Sequence, residues 1–254
     1  MGSPIDKTVN IVYKVNMINS APSLTPRSRR RAKNLEMILD KAMDLVILNG
    51  WEGFSVHRLA REVDYTPGAL YRYFDSKDDI FSALVVRILN TLLEQLQTHL
   101  ALASGNSLAQ LIIAARSYKT FAKQAPHRFG LMAMMMADPK ELLLSEKSAK
   151  PVVGAMLETL KPLREVIEVA MQEGLLSRGN ASQRTLTVFA GLQGILQLRK
   201  LGEKGPHVFD IDALFETLLY SILMGWGISS EAIKSAEGLV EDLGPLPTNW
   251  SQVQ

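Results

Sequence analysis

Apolar positions along the chain recur with the period of a helix. Leu35, Ile38, Leu39, Ala42, Leu45 and Val46 share one helical face. Asn49-Gly50 ends that stretch, because Gly50 is free to take a left-handed conformation just past the helix. Ser55 is placed to cap a short second helix to about Val63. Thr66-Pro67 reads as an N-cap and a first helical residue, where proline's missing N–H costs nothing. It predicts a brief third helix to about Phe74. Ser76 then opens a long fourth helix, with Asp78 and Asp79 in the first turn, where acids suit the helix dipole. Its stripe of Ile80, Phe81, Leu84, Val85, Ile88, Leu89, Leu92, Leu93, Leu96 and Leu100 predicts a rod over 77–101, about 37 Å long.

Beyond Gly105-Asn106, helices are expected over about 107–124, 126–137, 148–174, 182–201, 210–225 and 229–242. Pro162 is expected to kink or split the 148–174 segment. No segment shows sustained strand alternation. The 182–201 pattern places Leu186, Val188, Phe189, Leu192, Ile195, Leu196 and Leu198 all around its circumference, and 210–225 does the same with Leu214, Phe215, Leu218, Leu219, Ile222, Leu223 and Met224. A helix that is apolar all round must be covered on every side. Packing of these two helices on a second copy, as a four-helix homodimer interface, meets that need. Residues 1–26 are expected to form a disordered tail, and the last twelve residues, with Pro245 and Pro247, a loose end.

Composition narrows the class. At 254 residues with 47% apolar and 21% charged residues, the chain has ample material for a core and is not mainly disordered. It has no cysteine, hence no disulfide framework, no thiol nucleophile and no Cys-ligated metal. No run approaches the ~18 apolar residues of a membrane span, and the start lacks the apolar core of a signal peptide. A soluble, cytoplasmic protein with no membrane partner is expected. The four histidines are scattered without metal-ligand spacing, and no hydrolase elbow, P-loop or dinucleotide fingerprint occurs. The sequence therefore predicts no metal, no cofactor and no catalytic residue.

Charge is uneven. Arg27, Arg29, Arg30, Arg31 and Lys33 fall together with no acid among them. Without these five, acids outnumber bases in a chain whose net charge is +2. The positive balance thus sits in one short segment, as a local contact with a polyanion requires.

The stretch Ser55–Lys77, SVHRLAREVDYTPGALYRYFDSK, carries the functional information. Two short helices flank a turn at Asp64-Tyr65-Thr66. Leu59, Ala60 and Val63 give the first an inner face, and Ala69, Leu70 and Phe74 give the second one. The second helix is left with Thr66, Gly68, Tyr71, Arg72 and Tyr73 outside. Such a face suits a DNA major groove: arginine grips guanine bidentately, and hydroxyls bond phosphate oxygens. Gly68 removes a side chain where DNA comes close.

Phe54–Phe81 resembles the helix-turn-helix of the TetR family of bacterial transcription regulators. The resemblance rests on Ser55, Leu59-Ala60, the turn at 64–66, Gly68-Ala69-Leu70, Tyr71-Arg72-Tyr73-Phe74 and Lys77. Asp64-Tyr65 departs from the usual glycine and small aliphatic residue, although aspartate tolerates a left-handed turn better than most residues. The resemblance implies that Thr66, Gly68, Ala69 and Arg72 face base edges and that Ser55, Tyr71, Tyr73 and Lys77 hold phosphates. It implies that the basic arm Arg27–Lys33, including Arg29, Arg30 and Arg31, precedes helix one and follows a backbone or enters a minor groove.

The expected fold is all-α: a three-helix DNA-binding domain over 27–76, joined by the long helix to a helical ligand-binding and dimerisation domain over 77–254. The implied function is a one-component regulator, a repressor, that binds palindromic operator DNA as a homodimer and is released by a small-molecule effector. Candidate effector residues are Tyr118, Phe121, Met132, Met136, Phe189 and Gln193. The aromatics and methionines serve equally as core filler, and Gln193 could instead bond across the dimer. The alternative is a helical small-molecule binder or enzyme whose helix-turn-helix contacts no DNA. That alternative predicts turnover or a tight ligand and no operator.

Overall fold

Thr25 and Pro26 open the first helix, earlier than the apolar stripe suggests. A computed structural model of the chain describes residues 25–136, 144–202, 205 and 210–248. Helix α1 spans Pro26–Asn49; the Thr25 hydroxyl accepts the Ser28 N–H at 3.2 Å and Pro26 takes the first helical position. The expected basic arm is therefore helical, a correction with a local cause: a Thr-Pro start followed by arginines, lysine and alanine, all good helix formers. Of the expected tail, residues 1–24 lie outside the described residues.

Every regular element among the described residues is a helix: α2 (Val56–Glu62), α3 (Pro67–Leu70), α4 (Lys77–Ala101), α5 (Ser107–Gln124), α6 (Pro126–Met134), α7 (Glu146–Gln172), α8 (Ala181–Gln197), α9 (Arg199–Gly202), α10 (Ile211–Gly225) and α11 (Ser230–Asp242). Pro162 does not split α7. The carbonyl it deprives of a partner is that of Glu158, which is exposed and lies where water can satisfy it. The expected 182–201 helix divides at Leu198 into α8 and α9. The C-terminal segment is not entirely loose: the carbonyl of Pro247 accepts a hydrogen bond from the buried His99 ring at 2.6 Å.

The described residues form two compact units. One comprises 25–90, 127–136 and 144–156; the other comprises 91–126, 157–202 and 210–248. In the first, Ile38, Leu39, Ala42, Leu59, Ala60, Leu70, Phe74, Phe81 and Leu84 are buried together. Trp51 stacks on Phe54 at 4.9 Å and meets Phe81 edge-on at 4.7 Å. Arg87 pairs with Asp40 at 2.8 Å and Glu36 at 3.4 Å, tying α4 to α1.

The start of α4 is held from two sides. Ser76 Oγ accepts the Asp79 N–H at 3.1 Å, and Asp79 Oδ2 accepts the Asp75 N–H at 2.9 Å, a reciprocal cap. Asp79 is buried, and its other oxygen accepts the Ser148 hydroxyl at 2.8 Å. Lys147 pairs with Asp75 at 3.0 Å. Ser148→Ala leaves a buried carboxylate oxygen short of a donor, so a loss of about 2 kcal/mol is expected, read from the midpoint of chemical unfolding.

The second unit packs α5, α8, α10 and α11 around Ile112, Phe121, Leu192, Phe215, Leu219 and Ile233. α8 and α10 come close at Gly191, where a Cβ would lie 2.9 Å from Leu218 Cδ2 and the leucine end would have to turn aside.

Candidate nucleic-acid interface

The turn between α2 and α3 is built on Asp64, whose φ of 54° is the left-handed value expected of that position. Its short polar side chain does what glycine does at a lower steric tolerance. Ser55 Oγ caps α2 through the Arg58 N–H at 3.4 Å, and Thr66 Oγ1 caps α3 through the Ala69 N–H at 3.2 Å. Each hydroxyl acts as acceptor in its cap and keeps its own proton for an outside acceptor. Regular helix ends at Leu70, but turns continue: Tyr73 N–H reaches the Leu70 carbonyl at 2.8 Å and Phe74 N–H reaches it at 3.1 Å.

Thr66, Gly68, Tyr71 and Arg72 are exposed, while Ala69 and Tyr73 are half-buried. A Cβ on Gly68 would meet nothing closer than Thr66 Oγ1 at 4.0 Å. Nothing in the protein demands glycine there, so the gap faces outward. Ser55 is exposed as well.

The basic residues differ in what they do. Arg29 and Arg30 are exposed on α1, as are Arg27 and Lys33. Arg31 is exposed too but is held: one guanidinium nitrogen donates to the Arg72 carbonyl at 3.0 Å, and its carbon lies 4.8 Å from the Tyr73 ring centroid. Lys77 is half-buried; its ammonium donates to the Trp51 carbonyl at 3.2 Å and sits 4.7 Å from the Trp51 ring centroid. Sequence spacing gave no sign of the Arg31, Lys77 or Asn34 contacts. Asn34 Nδ2 donates to the phenols of Tyr65 and Tyr73.

In the second unit, four of the expected effector residues come together. The Tyr118 hydroxyl donates to Gln193 Oε1 in a buried pair, Phe189 lies 5.8 Å from the Tyr118 ring, and Phe121 lies 6.1 Å from it. Burial pushes the Tyr118 phenol well above its ordinary pKa, keeping it a donor. Gln193 is 5% exposed and its Nε2 has no hydrogen-bond partner among the described residues. Met132 and Met136 belong to the other unit. Arg116 bonds Glu237 at 2.7 Å, an ion pair that ties α5 to α11. A groove of about 280 Å³ between α7 and α8, lined by Leu157, Leu160, Lys161, Arg164, Thr185 and Leu186, contains none of the expected residues.

The outer sides of α8 and α10 are uncovered. Leu186 is 47% exposed and Met224 49%. Small residues spaced by four also lie there, Ala190 and Gly194 on α8 and Ala213, Thr217 and Ser221 on α10. Thr217 and Ser221 donate back to their own helix carbonyls at 2.8 and 2.7 Å, so these hydroxyls bring no unpaired donor to the face.

Two short helices about a left-handed turn, the second with a polar and cationic outer face, define a helix-turn-helix regulatory protein of all-helical build. A family model described as bacterial regulatory proteins, tetR family, matches residues 38–84, and one described as tetracyclin repressor-like, C-terminal domain, matches 111–222. The chain belongs to the TetR family of bacterial transcription regulators. An uncharacterized HTH-type transcriptional regulator of Mycobacterium tuberculosis is 23% identical over 125 residues, 48% of this chain and 56% of that protein. The chain thus spans about half the length of that curated relative. The regulator FadR of Bacillus subtilis, solved in complex with stearoyl-CoA, superimposes with a TM-score of 0.58 at 17% identity over 74% of this chain and 97% of FadR. AibR, solved in complex with isovaleryl coenzyme A and operator DNA, gives 0.54 at 17% identity over 73% of this chain and 96% of AibR. No helix among the described residues is long and apolar enough to cross a membrane.

Proposed function

We propose that the chain is a dimeric, one-component repressor that reads a palindromic operator and is released by a small molecule. The observation that carries the DNA reading is the α3 face: exposed Thr66, Gly68, Tyr71 and Arg72, with the Gly68 Cβ position open, beside the exposed cations of α1. Residues 27–76 serve as the DNA-reading part and 77–254 as the regulatory part. Arg29 and Arg30 meet phosphates from a helix, whereas Arg31 and Lys77 brace the head through the Arg72 and Trp51 carbonyls. The protein acts by binding, without turnover, on cytoplasmic DNA.

Dimerisation through α8 and α10 sets the spacing of the two heads. The effector reading rests on the Tyr118–Gln193 pair, whose surroundings are aromatic and whose amide Nε2 is unpartnered. That chemistry suits a largely apolar ligand with one carbonyl acceptor, a description that stearoyl and isovaleryl thioesters both meet. An effector lowers DNA affinity in proportion to its preference for the dimer that fits the operator less well.

The test is selection of genomic fragments by the purified protein at stated salt. A palindromic site is expected, with log affinity falling linearly in log salt. Stearoyl-CoA or isovaleryl-CoA is then added to the complex, and release is read by loss of bound DNA. Sequence-blind binding alone would refute the operator reading.

A further inference from the structure

Tyr65 stands in the turn before α3, and Tyr73 stands just after it. One side chain of α1 reaches both. Asn34 Nδ2 donates to the Tyr65 hydroxyl oxygen at 3.0 Å and to the Tyr73 hydroxyl oxygen at 3.3 Å. A primary amide has two N–H donors, so both are committed. Each phenol oxygen is thereby an acceptor and keeps its own proton. One proton can lie between the two oxygens: hydrogen bonding with Tyr73 holds the Tyr65 phenol above its ordinary pKa. Neither hydroxyl donates to any other described residue, so one proton points away from Asn34 and the shared one is free to turn out toward an incoming acceptor.

The surroundings are positive and open. The Arg31 guanidinium stacks over Tyr73 at 4.8 Å, Arg72 is exposed one residue earlier, and both phenols are only half-buried. The rings stand 6.2 Å apart, with their oxygens joined through one nitrogen. This is a pair of neutral donors beside cations, with no carboxylate bonded to it. It suits a singly charged oxyanion better than a base edge, because it offers donors only and no flat fork.

We propose that Tyr65 and Tyr73, organised by Asn34, form a clamp for one phosphate of the DNA backbone, with Tyr65 as a direct DNA contact. The proposal rests on the DNA-binding reading above. Because the two phenols bracket residues 66–72, the clamp fixes the recognition segment from both ends on one backbone group.

The test uses the full chain with two probes, the duplex recovered by genomic selection and a duplex of the same composition in shuffled order. Tyr65→Phe keeps the ring and removes the hydroxyl. Its affinity is expected to fall about five- to a hundredfold on both duplexes, because each of the two heads loses one hydrogen bond. The slope of log affinity against log salt stays unchanged, because a neutral donor displaces no counterion. Asn34→Ala is expected to weaken binding comparably in the native chain and far less in Tyr65→Phe/Tyr73→Phe, the coupling of a shared site. Wild-type affinity in Tyr65→Phe, with the native chain still binding DNA, overturns the clamp alone. A loss confined to the selected duplex overturns the phosphate assignment in favour of base contact. If the native chain binds neither duplex, the DNA reading fails and the clamp with it. Should Asn34→Ala fold poorly, as its thermal midpoint will tell, the Tyr65→Phe measurement decides.

Discussion

A chain carrying Ala190→Glu is expected to fold and to be monomeric. Ala190 is exposed on α8, so the longer side chain has room in the single chain. In a symmetric dimer through α8 and α10, the same substitution enters the interface twice. Each carboxylate would then sit on a face of small and apolar residues, next to Leu186 and Gly194 one turn away on either side. Burying an unpaired charge costs several kcal/mol, so a loss near 4 kcal/mol, about a thousandfold in dimer affinity, is expected. Sedimentation of the native chain and the variant at the same concentration reads this directly. Operator affinity should collapse in parallel, because two half-sites are then bound independently rather than as one. The helical content of the variant should match the native chain. A variant that sediments as a dimer would place the interface elsewhere, and the exposed side of α8 would need another occupant.

The case for that face began in sequence and was sharpened by structure. Apolar residues around the whole circumference of 182–201 and 210–225 already demanded an outside partner, since one chain of this size has too little else to cover them. The spacing could not say which side each helix turns inward. Burial decides it: Val188, Leu192 and Leu196 of α8 are buried, and a Cβ on Gly191 would meet Leu218 of α10 at 2.9 Å. Ala190 and Gly194 are then left outside.

The same division runs through the DNA-binding head. Caps at Ser55, Thr66 and Ser76 were legible because each cap spans three residues of chain. The left-handed Asp64 was legible for the same reason. The start of α1 was not, although Thr25-Pro26 is the same signal as Thr66-Pro67. There it precedes a run of cations rather than an apolar stripe, and periodicity sees no helix until Leu35. The partners of Arg31, Asn34 and Lys77 are not legible in sequence, because they lie far along the chain, at Arg72, at Tyr65 and Tyr73, and at Trp51. A basic residue in such a run reads as solvated or DNA-facing, and only packing distinguishes the brace from the contact. In the regulatory part, the aromatic and amide residues stand on separate helices, and nothing in their spacing brings them together. The structure unites Tyr118, Phe121, Phe189 and Gln193 and leaves Met132 and Met136 in the other unit.

Arg72→Ala is expected to abolish most sequence discrimination while sparing general DNA affinity more than it spares specificity. The guanidinium is exposed just past α3. What the protein does hold is the Arg72 carbonyl, through Arg31 at 3.0 Å. That bond belongs to the main chain and survives the substitution, so the recognition segment keeps its position and the variant isolates the side chain. A bidentate arginine–guanine pair is worth about 1–3 kcal/mol of discrimination, and a dimer makes the contact twice. The ratio of affinities for the selected duplex and its shuffled counterpart should therefore fall by about two orders of magnitude or more at fixed salt. The salt slope should stay nearly unchanged, because this arginine is placed on a base edge and the slope counts phosphates neutralised. Arg31→Ala supplies the contrast. It frees the Arg72 carbonyl and uncovers Tyr73, so affinity should fall on both duplexes through a misplaced segment, with the preference between bases retained in kind. An Arg72→Ala protein that still prefers the selected duplex as strongly as the native chain would move base readout to Thr66 and Ala69, the remaining side chains on the outward face of the segment.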